Sequence, residues 1–336
     1  MADRNPQYAR NSRLEALLDR LGDILEGPEQ KAVNEFRCPQ LPPVFVHGCA
    51  RSGTTLMMQT LADLDLFAYP TNLLSRFYRS PYIGALIQLM LTDRRYNYRD
   101  EFAELRDVGI SYESELGKTR GILSPNEFNY FWRRFFPTKD AMSPPHDTPG
   151  NRERGLLLSE MAAMEAAFGR PLLMKAMILN WHISFLAELF TNAIFIHVNR
   201  DVLFNAQSLL EARIDFFGDV NEWYSFKPPE YALLASKDPI EQVLGQVIST
   251  NRAVRDELRS VPDARKLTVG YERLCDAPDE VAGEIVSLLN ENGYEHRHGT
   301  AASVRGPQRD RNMRRIDETT WRRMEQVLLD IESTLT

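Results

Sequence analysis

Cysteine is scarce in this chain of 336 residues: Cys38, Cys49 and Cys275 are all there is, and their spacing holds no metal. An odd, small number in a chain of this length excludes a disulfide framework and suits a reducing compartment. Positive charge is not in excess either. Lys+Arg 40 against Asp+Glu 47 leaves a net charge of −7, which excludes a general binder of nucleic acid or anionic membrane. Long hydrophobic runs are missing. The longest apolar stretch, Tyr82 to Leu91, falls well short of the ~20 residues that a spanning helix needs. Met1 to Arg20 is charged throughout and has no apolar core of a secretory signal. The expectation is a cytoplasmic protein without a membrane span. Internal repeats and low-complexity tracts are absent too.

What is present is the mixture of a globular protein, 43% hydrophobic and 26% charged. Leu14, Leu17, Leu18, Leu21 and Leu25 recur at helical spacing, predicting an amphipathic helix that serves as a cap or an oligomer contact. A homodimer therefore stays open. Strand candidates are Val44-Phe45-Val46, Leu172 to Met177, Ala193 to Val198 and Lys266 to Tyr271. Helical patterns over Leu56 to Leu66, Val202 to Arg213 and Pro278 to Asn292 alternate with them. That alternation predicts an α/β fold with a mostly parallel sheet covered by helices on both faces. The middle, Leu73 to Gly169, is rich in aromatics and prolines, with helical pieces at Glu127 to Phe136 and Leu156 to Phe168 but no strand rhythm. One local basic patch lies near the C-terminal end, Arg305, Arg309, Arg311, Arg314, Arg315, Arg322 and Arg323, whose later members fit a solvated helix face balanced by acids.

The segment Gly48-Cys49-Ala50-Arg51-Ser52-Gly53-Thr54-Thr55 keeps the two-glycine spacing of a phosphate-binding P-loop between a strand and a helix. There, backbone N–H groups and a helix N-terminus cradle an anion. The lysine that should follow the second glycine is replaced by Thr54, and a cation stands inside the loop instead, at Arg51. A kinase needs that lysine on the β- and γ-phosphates and an acidic residue to help hold Mg²⁺. Arg51 with the hydroxyls of Ser52, Thr54 and Thr55 suits a smaller task, gripping a 5'-phosphate and the group leaving from it without a metal. A P-loop kinase using ATP, and a non-catalytic nucleotide-binding protein of the same fold, are the rival readings.

From Pro43 to Leu56 the sequence resembles the 5'-phosphosulfate loop of sulfotransferases that use 3'-phosphoadenosine 5'-phosphosulfate (PAPS). The second signature of that family is an arginine at a strand end followed eight residues later by a serine, both on the 3'-phosphate; Arg200 and Ser208 stand at that spacing. Pro171-Leu-Leu-Met-Lys175 with Trp181-His182 resembles the family strand that carries a lysine near the leaving group. Tyr271-Glu272-Arg-Leu274 is similar to a common strand end, and Arg305-Gly306 to the late loop that closes over the 3'-phosphate. The resemblance implies a P-loop-type domain with a central parallel sheet flanked by helices and a largely helical insertion over the active site. It divides the chain into an N-terminal helical extension, 1–40, and a single domain, 41–336, whose insertion, 73–170, lines the acceptor pocket. The implied reaction is in-line sulfuryl transfer from PAPS to a hydroxyl or amine of a small-molecule or carbohydrate acceptor. It needs no metal. Gly48, Arg51, Ser52, Gly53, Thr54, Thr55, Arg200, Ser208, Arg305 and Gly306 would hold the donor, and Arg51 and Lys175 would stabilise the leaving phosphate. For the general base, Glu127 is preferred over His182, because it sits at the expected start of an aromatic-rich helix in the insertion. Tyr112, Tyr130, Phe131, Trp132, Trp223 and Tyr224 offer aromatic walls for a sugar ring, an aryl group or a lipid.

Overall fold

The computed structural model describes residues 4–106, 112–294, 306, 308 and 310–335. Its centre is a four-stranded sheet of β1 (Val44–His47), β4 (Leu173–Lys175), β5 (Ile194–Asn199) and β6 (Lys266–Gly270), all parallel, in the order β4-β1-β5-β6. A short antiparallel hairpin, β2 (Ser114–Glu115) with β3 (Lys118–Thr119), stands apart from it. The first three central strands read as largely apolar runs because both faces are covered, and every residue of β1 and β4 is buried. Successive side chains therefore enter two different cores. Phe45 and Phe195 pack with Trp132, Phe136 and Leu179 on one face; Val44, Val46, Ile194, Ile196 and Val198 pack with Met57, Leu61 and Ile285 on the other. Pairing of Val44 with both Leu173 and Ile194, and of Asn199 with Gly270, fixes the register.

Chain connections leave β1 toward β4 on one side and β5 toward β6 on the other, so the sheet switches direction between the C-terminal ends of β1 and β5. Open parallel sheets bind ligands at such a switch point. The helix after β1, α2 (Thr54–Asp63), and the helix Val202–Phe217 after β5 both start there. Asp201 caps the latter by accepting from the Phe204 N–H at 3.1 Å.

The N-terminal helix α1 extends over Ser12–Val33, well past the leucine pattern, and is tied to the middle of the chain. Arg79 bonds Asp23 at 2.8 Å, crossing α1 where Gly22 leaves room; a Cβ there would lie 2.5 Å from Arg79 Cδ. Glu29, buried in the same helix, accepts from the N–H groups of Tyr82 (2.7 Å) and Ile83 (2.9 Å) and so caps α3 (Pro81–Thr92). That apolar α3 is the Tyr82 to Leu91 stretch, and no helix among the described residues is long and apolar enough to cross a membrane. The hairpin is the element that the strand rhythm did not reveal. Its turn places Leu116 at φ 49° and Gly117 at φ 83°, the left-handed pair of a two-residue hairpin turn, without the Asn-Gly dipeptide that usually announces one.

Candidate active site

The loop between β1 and α2 is held in a conformation that requires glycine at two positions. Gly48 has φ 152°, and a Cβ on it would lie 2.3 Å from the Val198 carbonyl oxygen; Gly53 has φ 101°, and a Cβ there would lie 2.6 Å from Tyr271 Cδ2. Arg51 itself sits in the left-handed region at φ 69°. Three side chains pin the loop from below. Ser52 Oγ donates to the Val198 carbonyl (2.9 Å), Asn180 Nδ2 to the Gly48 carbonyl (2.9 Å) and Asn205 Nδ2 to the Ala50 carbonyl (2.8 Å). At the start of α2 the capping position is Gly53, which provides no side-chain acceptor. The first N–H groups of α2 therefore stay open at the positive end of the helix dipole, beside the Arg51 cation.

A second cation converges on this loop. Arg51 Nε donates to Ser208 Oγ at 3.2 Å, and Arg200 donates through one terminal nitrogen to the Arg51 carbonyl at 3.1 Å and through Nε to Asn312 Oδ1 at 2.7 Å. The second terminal nitrogen of Arg200 is buried without a hydrogen-bond partner. A buried donor with no acceptor is costly, and an anion placed there would satisfy it. Arg200 lies over the Tyr271 ring at 4.5 Å, and burial, reinforced by the neighbouring Arg51 charge, lowers its pKa against the opposing pull of Tyr271 and Glu272. The eight-residue spacing thus works through Arg51: Ser208, on the helix, and Arg200, at the strand end, both grip the same loop residue.

Lys175, at the end of β4, supplies the other half of the site. Its Nζ donates to Thr55 Oγ1 at 2.9 Å and to Glu127 Oε1 at 2.6 Å, while Asn129 Nδ2 donates to the second Glu127 oxygen at 2.8 Å. Burial alone would raise the Glu127 carboxyl, but the charge and hydrogen bond of Lys175, helped by Asn129 and Lys118, outweigh it and hold the group below the usual carboxylate range. Glu127 stands ahead of the helix Asn129–Phe135 rather than in its first turn; Phe128, at φ 54°, turns the chain between them. The hairpin covers this trio. A Cβ on Gly117 would lie 3.5 Å from Glu127 Oε1, 3.6 Å from Thr55 Oγ1 and 3.8 Å from Lys175 Nζ. Tyr224 holds the hairpin tip by donating to the Leu116 carbonyl at 3.1 Å, and Tyr8 bonds Glu115 from the N-terminal segment.

Arg51, Gly53, Thr54, Thr55, Glu127, Lys175 and Arg200 line one continuous cleft of about 1490 Å³, with Gly48 and Ser208 outside its lining. Not every sequence candidate aims its side chain into it. Ser52 is fully buried and faces β5, and Thr54 Oγ1 points to Met177 Sδ at 3.2 Å. His182 is outside the cleft lining, its Nε2 3.1 Å from the Pro145 carbonyl and its ring against Phe136. Gly306 is exposed, and Arg305 lies outside the described residues. Among the aromatics, Tyr112, Tyr130 and Tyr224 reach the cleft, whereas Phe131 and Trp132 are core and Trp223 is buried under Arg213 and Tyr231. The later arginines pair with acids: Arg314 with Glu318, Arg315 with Glu211 and Arg323 with Asp238.

Three contributors escaped the sequence reading. Asn180 bridges β1 to the loop, Asn312 buttresses Arg200 and is itself held by Glu272 at 2.6 Å, and the hairpin caps Lys175. Nothing local marks either asparagine, whereas the Tyr271-Glu272 strand end was visible. Its tyrosine carries the Arg200 guanidinium and accepts from the Arg311 N–H at 3.2 Å. Among the described residues no cluster of His, Cys, Asp and Glu could hold a metal ion.

A sulfotransferase family model matches residues 42–295. No curated protein matches the sequence. Among solved structures, the chain is similar to a sulfotransferase of Mycobacterium avium, with a TM-score of 0.49 and 16% identity over 87% of this chain and 69% of that one. It is also similar to the sulfotransferase domain of a Synechococcus olefin synthase, with a TM-score of 0.41 and 17% identity over 88% and 96%. A Mycobacterium tuberculosis sulfotransferase gives 0.47 and 12% over 79% and 72%.

Proposed function

The chain belongs to the sulfotransferase family, and on that premise we propose that it transfers a sulfuryl group from PAPS to an acceptor hydroxyl or amine. The observation that carries the choice of donor is the unpartnered, buried nitrogen of Arg200 beside the Arg51–Ser208 pair. A 3'-phosphate, absent from ATP, is the donor group that would occupy this corner while the 5'-phosphosulfate takes the open N–H groups of α2. The same reading sets aside the kinase, because no lysine follows Gly53 and Lys175 approaches the loop from β4 instead.

In the reaction, Glu127 takes the proton of the acceptor hydroxyl, whose oxygen forms a new bond to sulfur. The bond from sulfur to the bridging phosphate oxygen breaks, and its electron pair leaves with the 5'-phosphate. A sulfate ester, the protonated Glu127 carboxyl and the 3',5'-bisphosphate result. Arg51, Lys175 and the first N–H groups of α2 face the oxygen that gathers charge, the preorganised stabilisation that transfers of this class depend on. Lys175 has a second task. While it is bonded to Glu127 it keeps the base ionised but weak; once its ammonium turns toward the donor, burial raises the basicity of Glu127. Glu127 is preferred to His182 because it touches Lys175 and the cleft, and His182 touches neither. Calorimetry with the 3',5'-bisphosphate and with AMP tests the donor assignment: a preference of tenfold or more for the bisphosphate is expected, and equal affinities would overturn it.

A further inference from the structure

The cleft carries more positive charge than the donor requires. Arg51, Lys175, Arg200 and Arg311 line it from the phosphate loop, the strand ends and the segment beside Tyr271. Four other elements of the cleft wall each present a cation: Arg4 from the N-terminal segment, Arg76 from the turn Leu74–Phe77, Lys118 from β3 and Arg133 from the helix Asn129–Phe135. Among the described residues none of the four has a salt bridge, and the cleft lining holds two carboxylates, Glu127, already paired with Lys175, and Asp310. The nearby acids are engaged elsewhere, Glu15 with Arg10 at 3.8 Å and the Tyr130 hydroxyl at 3.3 Å, and Asp140 with Lys227 at 3.6 Å. Arg133 is the least compensated. One terminal nitrogen donates to the Ala141 carbonyl at 2.7 Å, its Nε is buried without a partner, and burial lowers its pKa. In a chain of net charge −7, four cations without a salt bridge among the described residues, lining one cleft, concentrate anions within it.

We propose that the acceptor is itself anionic, bearing a carboxylate, sulfate or phosphate group that Arg133, Arg76 and Lys118 hold while its hydroxyl or amine faces Glu127. The inference rests on the sulfotransferase reading of the same cleft and names the substrate class. Such an acceptor would be repelled by the charged donor unless cations stood on its own side, and these residues supply them.

The test is transfer of radiolabelled sulfate from PAPS into a metabolite extract separated beforehand by ion exchange into anionic, neutral and cationic pools. Label is expected in the anionic pool, with a KM for the labelled acceptor that rises with salt. Arg133→Gln should lower kcat/KM for that acceptor about tenfold or more, and the exposed Lys118→Gln and Arg76→Gln about three- to fivefold each. The exposed variants keep the test meaningful if loss of the Ala141 bond unfolds Arg133→Gln. Label in the neutral or cationic pool, label in no pool, or indifference of the anionic acceptor to both exposed substitutions overturns the inference. Failure of the parent reading shows separately, as absence of binding of the 3',5'-bisphosphate in calorimetry.

Discussion

Lys175 and Glu127, 48 positions apart in the sequence, meet at 2.6 Å, with the lysine side chain only 4% exposed and the carboxylate at the cleft wall. The pair joins the end of a core strand to a loop of the inserted region, and Thr55 Oγ1 ties the lysine to the phosphate loop at 2.9 Å. The proposed donor site and the proposed base are thus linked through a single ammonium.

Replacing the base should separate chemistry from binding. Glu127→Gln keeps the shape and removes the proton acceptor, so kcat is expected to fall about 10²–10⁴-fold while calorimetry shows nearly unchanged affinity for the 3',5'-bisphosphate. His182→Asn is the control, with near-native kcat. The reverse pattern would transfer the role to the histidine.

Removing the lysine should move the pH profile in a direction set by the environment of Glu127. The working base is the ionised carboxylate, so activity is lost as pH falls through its pKa. Lys175 holds that pKa below the ordinary value of 4.5 against the upward push of burial. In Lys175→Met burial is opposed by Asn129 and Lys118 only, the pKa rises, and the acid limb of kcat/KM shifts to higher pH, alongside a lower maximum. An acid limb at the same pH in both enzymes would contradict the coupling.

Arg200→Ala removes the guanidinium with the unpartnered nitrogen. Affinity for the 3',5'-bisphosphate is expected to fall tenfold or more by calorimetry, with affinity for AMP changed far less. A uniform loss for both nucleotides would mean that Arg200 only shapes the loop through the Arg51 carbonyl.

Glu29 makes a prediction about stability alone. Burial, only partly offset by the N–H groups of Tyr82 and Ile83, pushes its carboxyl up to about 7 from an ordinary 4.5. Between those values the unfolded chain loses the proton while the folded one keeps it, so stability falls as pH rises from about 4.5 to 7 and then levels off. The cost reaches roughly 3 kcal/mol. Glu29→Gln should flatten that slope in denaturant unfolding measured at several pH values; parallel curves for the two proteins would reject the assignment.

The four central strands, the helices that follow them and the phosphate loop were legible in the sequence because their signals are local. A both-sides-buried strand must be a short apolar run, and a loop that passes close to a neighbouring strand and ring must carry glycine, as Gly48 and Gly53 do. Arg200 and Ser208 were legible because their spacing matches a signature of the family that the sequence resembles. Contacts that close over long sequence separations were not. The hairpin that covers Lys175 is two residues per strand around a Leu-Gly turn, too short to show a period of two. Asn180 and Asn312 look like ordinary polar residues until the fold sets one against Gly48 and the other against Arg200. Choosing between Glu127 and His182 depended on which side chain reaches the cleft, and that is decided by the packing of the inserted region onto the sheet. Local sequence determines which segments become strands, helices and anion-binding turns; the charge state and partners of a side chain depend on what the folded chain brings within a few ångströms of it.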